Sequence, residues 1–97
     1  MKIRYTRKAL AQLEQIYLYI EEQNPSAAKR VKGGIEKAIR RLARLPYSCR
    51  PTEHPGIRVL SVVRYPYLVF YSVDEVAQEV QILRIRHSAQ DPARHLE

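Results

Sequence analysis

Tryptophan is absent from the 97-residue chain, cysteine occurs once, at Cys49, and glycine only three times. A single thiol permits no disulfide within the chain and no thiolate metal cluster, which fits a reducing compartment, so a cytoplasmic protein is expected. No apolar run approaches the roughly 18 residues that cross a bilayer. The opening residues, Met1-Lys2-Ile3-Arg4-Tyr5-Thr6-Arg7-Lys8, are charged and are not followed by the apolar stretch of a secretory signal, so neither a membrane nor an export role is expected. Gly33-Gly34 and Gly56 do not satisfy a phosphate-loop pattern, which excludes ATP hydrolysis of that kind. His54, His87 and His95 share no ligand spacing, and neither a metal nor a cofactor is implied.

Acidic side chains are scarce in one window. From Lys29 to Arg50 a single acid, Glu36, stands among eight basic residues, a local charge of +7 that equals the formal charge of the whole chain. Such a concentration favours an anionic partner, whether nucleic acid, an acidic membrane face or an acidic protein segment, while a solubilising helix face is the plainer alternative. No aromatics interleave with these cations on the polar face, so a stacking platform for single-stranded nucleic acid is not indicated there.

What remains suits one small domain, residues 1–97, with 45% apolar residues, seven Tyr and six Pro. Ile3 to Tyr5 reads as a short strand, and Thr6 as the cap of a helix beginning near Arg7. Leu10, Leu13, Tyr17 and Ile20, widened by Ala9 and Ile16, form an apolar stripe at three-four spacing on a helix that ends near Gln23. Tyr17 is expected in the core and Tyr19 partly exposed, because residues two apart on a helix diverge. Asn24-Pro25 caps and opens a second helix, whose stripe is Ala28, Val31, Ile35, Ala38, Leu42 and Leu45, and Pro46 stops it. Gly33-Gly34 inside that helix implies either a close approach to its backbone or a kink. After a loop from Tyr47 to Gly56 come three β-rich runs, Ile57 to Arg64, Tyr67 to Val73 and Val80 to Arg86, joined by short turns at Tyr65-Pro66 and Asp74 to Glu79. Short turns require antiparallel pairing. The expected fold is therefore α+β, in the order β-α-α-β-β-β: an N-terminal strand, then an antiparallel helical hairpin packed on a C-terminal antiparallel three-stranded meander.

Several segments in this order resemble a known family. They are Ala9-Leu10 with Leu13, Ile16, Tyr19 and Ile20; Asn24-Pro25-Ser26-Ala27-Ala28; Leu45-Pro46; Gly56-Ile57-Arg58; Tyr65 to Tyr71; and Ile82 to His87 with Asp91. Their spacing, from Ile3 to about Pro92, is similar to that of RelE/ParE-superfamily toxins from bacterial type II toxin-antitoxin operons. The resemblance implies one of two activities. RelE-like members are ribosome-dependent mRNA endoribonucleases, and ParE-like members poison DNA gyrase by trapping it on cleaved DNA. It also implies a cognate antitoxin whose C-terminal segment wraps the toxin.

A nuclease needs a group titrating near neutrality beside cations that hold the phosphate. Arg58, Arg64, Arg84 and His87 are the candidates, with Arg86 alongside and Arg50 brought near by a short loop. The nuclease branch commonly carries an arginine where this chain has Leu68, and no tyrosine follows Tyr71. The strand Tyr65 to Tyr71 and the ending Arg86 to Asp91 look closer to ParE. A gyrase inhibitor without catalytic residues is accordingly expected, neutralised by a ParD-like antitoxin, with the ribosome and mRNA as alternative partners. In that setting His87 is structural, donating to a backbone carbonyl or to Asp91, and Cys49 is incidental. Arg40, Arg41, Arg44, Arg50 and Arg86 are the partner-binding candidates. An acidic antitoxin segment is expected across the helical hairpin and an edge of the meander.

Overall fold

A computed structural model describes residues 1–90 of the chain, and in it a strand, β1 (Lys2–Tyr5), leads directly into helix α1 (Arg7–Glu21). The junction is set by Thr6, whose side chain accepts from the Ala9 amide at 3.1 Å. Asn24 does the same for helix α2 (Pro25–Arg41) by accepting from Ala27 at 3.1 Å, with proline in the first helical position. Four further strands follow: β2 (Arg50–Pro51), β3 (Arg58–Ser61), β4 (Tyr67–Asp74) and β5 (Glu79–His87), with a short 3-10 turn at Ser88–Gln90. The α+β order and the hairpin laid on a meander are as expected. The Asp91 and His95 positions lie outside the described residues.

The sheet is larger than the expected meander and mixed in direction. Its order is β1-β5-β4-β3-β2, antiparallel except for β1, which runs parallel to β5. Both edges of the meander are therefore at least partly covered, β5 by β1 and the start of β3 by the two residues of β2, in a segment expected to be loop. Strand β3 stops at Ser61 rather than Arg64, because Arg64 adopts φ 81°, a left-handed conformation that no strand accommodates. Helix α2 likewise stops at Arg41. The amides of Leu42, Ala43 and Arg44 turn to the carbonyls three residues back, which tightens the chain before Pro46 is reached.

The core lies between the helices and one face of the sheet. Ile35, Ile39 and Leu42 from the α2 segment meet Val69, Tyr71, Val80, Ile82 and Ile85, with Ala9 and Leu13 from α1. Each fully buried aliphatic side chain contributes about 1.5–3 kcal/mol of transfer free energy. The α1 stripe is rotated from the expected one: Ala9 and Leu13 are buried while Leu10 is half exposed. Tyr17 is only half-buried, with the Lys32 ammonium 5.3 Å from its ring centroid, and Tyr19 is exposed. Leu45, expected on the α2 stripe, is also exposed, since the helix has already ended. Of the two glycines in α2, only Gly34 has a neighbour where a β-carbon would stand. Among the described residues no helix is long and apolar enough to cross a membrane.

Candidate functional site

Directly opposed residues on neighbouring strands share a face of the sheet. On the face away from the helices, Arg50, Val59, Phe70 and Arg84 form one row across β2, β3, β4 and β5, and Ser61, Leu68 and Arg86 form the next. Arg58 stands opposite Tyr71, and His87 opposite Tyr67, on the helix side. Alternation along β5 separates Arg84 and Arg86 from His87, and a bulge in that strand sets which of them faces outward. Phe70 pairs with Arg84 while Tyr71 pairs with Ile82, so Leu83 is an extra residue and the alternation of faces shifts across it. Val80 and Ile82 before the bulge and Ile85 after it all enter the core, and Arg84 and Arg86 emerge on the open face.

The expected nuclease residues are thus not brought together. Arg58 is engaged by the loop that precedes β2: its guanidinium donates to the Cys49 carbonyl at 2.6 Å and the Tyr47 carbonyl at 3.4 Å, and lies 5.1 Å from the Tyr47 ring centroid. Tyr47 in turn donates to the Glu75 carboxylate, a bond that pushes its hydroxyl pKa up. Arg64 is exposed in the β3–β4 turn. Arg86 lies over Phe70 at 5.7 Å, and Arg84 is half-buried beside it. The His87 ring meets the edge of Tyr67 at a centroid distance of 5.4 Å. Its Nδ1 accepts from the Ala89 amide at 3.1 Å, which leaves Nε2 for the expected donation to a carbonyl or to Asp91, the latter outside the described residues.

The partner-binding candidates divide between two surfaces. Arg40, Arg41 and Arg44 are exposed at and just beyond the C-terminal end of α2, where cations also complement the helix dipole. Arg50 and Arg86 belong to the open sheet face on the other side of the molecule. Among the described residues no group of three or more His, Cys, Asp or Glu is placed to hold a metal.

Two polar residues, Thr6, read in the sequence only as a helix cap, and Gln12, off the apolar stripe of α1, complete β5 where β1 ends. Gln12 accepts the Ile85 amide at 2.7 Å, and the Thr6 hydroxyl donates to the Leu83 carbonyl at 3.2 Å. They satisfy backbone groups around the bulge and so hold Arg84 and Arg86 outward. No local signal marks them, because the groups they bond lie more than seventy residues along the chain.

Comparison with known proteins bears on the same arrangement. The family described as "ParE toxin of type II toxin-antitoxin system, parDE" matches residues 3–92. Y4kP of Sinorhizobium fredii, whose name makes it a candidate toxin, is 37% identical over 89 residues, covering 92% of this chain and 90% of its own length. A chromosomal ParDE TA system from P. aeruginosa superposes with a TM-score of 0.79 at 32% identity, over 90% of this chain and 95% of that one. The RelBE2 toxin-antitoxin complex from Mycobacterium tuberculosis gives 0.59 at 25% identity, over 89% and 95%.

Proposed function

The chain belongs to the ParE toxin family of type II toxin-antitoxin systems, and from that premise we propose that it poisons DNA gyrase on cleaved DNA, forming and breaking no bond itself, until a ParD-like antitoxin neutralises it in the cytoplasm. One observation carries this reading. Cleavage of RNA by its own 2′-OH needs a titrating group beside the cations that hold the phosphate. Here His87 and the pair Arg84 and Arg86 stand on opposite faces of β5, and Arg58 is spent on backbone carbonyls. The higher superposition on ParDE than on RelBE2 supports the same side.

A ribosome-dependent mRNA endoribonuclease is the second reading, favoured by the three arginines Arg50, Arg84 and Arg86 on one open face. Partner binding is assigned in this proposal to Arg40, Arg41 and Arg44 on α2 and to Arg50 and Arg86 on the sheet. The deciding experiment adds purified protein to gyrase and, separately, to translating ribosomes. Accumulation of the gyrase cleavage complex with intact mRNA is expected. Unchanged supercoiling and DNA cleavage together with cut mRNA would hand the activity to the second reading.

A further inference from the structure

The solvent side of α2 is a ridge of unpaired positive charge. Arg30, Lys37, Arg40 and Arg41 recur at three-four spacing and are exposed, and so are Lys29 at the start of the ridge and Arg44 just past the end of the helix. Among the described residues none of the six makes an ion pair or a side-chain hydrogen bond. Glu36, the one acid between Lys29 and Arg44, is half-buried on the flank towards Tyr5, whose hydroxyl pKa is raised by burial first and by this carboxylate second.

Gly33 stands in the middle of the ridge, exposed, and a β-carbon there would meet nothing of this chain within 4 Å. It serves no packing in the fold, and it leaves the helix surface bare between Arg30 and Lys37. From Lys29 to Arg41 the ridge runs about 18 Å at the helical rise, about half a turn of a DNA duplex. The opposite side of the helix is spent, since Ala28, Ile35 and Ile39 are buried, so no apolar face remains to enter a membrane surface. None of the exposed large apolar side chains lies on α2, so the ridge offers a protein partner no anchor and a single strand no stacking platform.

Resting on the reading that the chain acts where gyrase holds cleaved DNA, we propose that the ridge on α2 binds the phosphate backbone of duplex DNA without reading its sequence. A duplex carries one charge per about 1.7 Å of axis and sheds condensed counterions when cations replace them, so a surface made of charge alone is enough to hold it. Carboxylates of a protein, paired one by one with exposed cations, return little. Phosphates approach α2 most closely over Gly33, with Arg30 and Lys37 about one turn to either side. Binding of this kind places the toxin on the same duplex that gyrase cleaves.

The probe is a fluorescein-labelled duplex of about 20 base pairs and mixed sequence, titrated by anisotropy against the full chain at several salt concentrations. Binding is expected, with log K falling linearly against log salt at a slope of about −4, as about four phosphate contacts require. Arg30→Gln with Lys37→Gln should flatten that slope by about 2 and weaken binding about tenfold at low salt. Gly33→Glu sets a carboxylate among the cations while favouring the helix more than glycine does, so its fold is kept, as circular dichroism checks, and its binding should fall about tenfold. One strand of the duplex alone, and polyglutamate of about 20 residues, should each bind about tenfold more weakly than the duplex. No duplex binding at low salt, an unchanged slope in the double variant, undiminished binding by Gly33→Glu, or single strand or polyglutamate held as tightly as the duplex would each overturn the proposal. The titration contains no gyrase, so its failure and a failure of gyrase poisoning are read separately.

Discussion

Tyr65 packs against Gly34 so closely that a β-carbon on the glycine would lie 2.5 Å from Cε2 of the ring, whereas the neighbouring Gly33 has nothing within 4 Å. The two adjacent glycines therefore answer to different demands. Gly34 lets the β3–β4 turn, in which Arg64 takes φ 81°, dock on α2, and Gly33 only weakens the helix.

Alanine at the two positions should consequently have opposite effects. Gly33→Ala is expected to raise stability by about 0.5–1 kcal/mol by restricting the unfolded chain and improving helix propensity. Gly34→Ala should lower it by about 1–2 kcal/mol as the ring is displaced. Urea denaturation of the two variants measures the difference, and a shared sign would contradict the packing at Gly34.

Leu42 is 1% exposed and Leu45 is 59% exposed, although both fall on the same three-four stripe in the sequence. Leu42→Ala is expected to cost about 2–5 kcal/mol, because it removes contacts and leaves a cavity. Leu45→Ala should stay within about 0.5 kcal/mol. Thermal melts of the pair test where α2 ceases to face the core.

Tyr71 is fully buried and donates to the Pro46 carbonyl at 2.8 Å. Burial first, and the neighbouring Cys49 thiol second, push its pKa upward. The folded chain therefore holds this proton to higher pH than the unfolded chain does. The resulting stability is present below pH about 10 and is lost as pH rises beyond it, with a slope of up to about 1.4 kcal/mol per pH unit. Tyr71→Phe should cost about 1 kcal/mol at neutral pH. It should also show a shallower alkaline loss than the parent, as read by denaturant titrations across the alkaline range.

The position of His87 gives a test of function in cells. If gyrase is poisoned without chemistry by the toxin, His87→Gln should arrest growth as the parent does at equal soluble level, with at most about 0.5–1.5 kcal/mol lost from the contact with Tyr67. Restored colony counts with undiminished soluble protein would instead place His87 in a reaction.

Arg40, Arg41 and Arg44 are exposed on one end of the hairpin, where they act on an approaching anionic chain before contact. Replacing all three with Gln should slow association with the antitoxin and flatten its salt dependence, leaving dissociation comparatively unchanged. Stopped-flow mixing at several salt concentrations measures both rates. An association rate indifferent to salt and to the substitutions would reduce these arginines to a solvated face.

The amino-acid order by itself determined the features whose causes lie within a turn or two of chain. Thr6 and Asn24-Pro25 begin the helices where they stand because a cap needs only the amides a few residues ahead. The strands Tyr67–Asp74 and Glu79–His87 were legible to within a residue at either end, from β-branched and aromatic runs with a short turn between them. The family was legible too, since its segments keep their order along nearly the whole chain.

Only the tertiary structure decided which neighbours those elements meet. Nothing local announces that Lys2–Tyr5 pairs in parallel with a strand that begins at Glu79, or that Arg50–Pro51 has enough backbone partners to become a strand. The candidate site depends on the same long-range pairing. Arg84, Arg86 and His87 look like one cluster in the sequence, but alternation of faces separates Arg86 from His87, and the extra residue Leu83 sets which of them turns outward. The bulge exists because Phe70 and Tyr71 on one strand, and Gln12 and Thr6 from the opposite end of the chain, satisfy the backbone around it. Hydrogen bonds between residues seventy positions apart form only once the fold has brought them together, and by supporting the bulge they set the arginines on the open face and the histidine on the helix side.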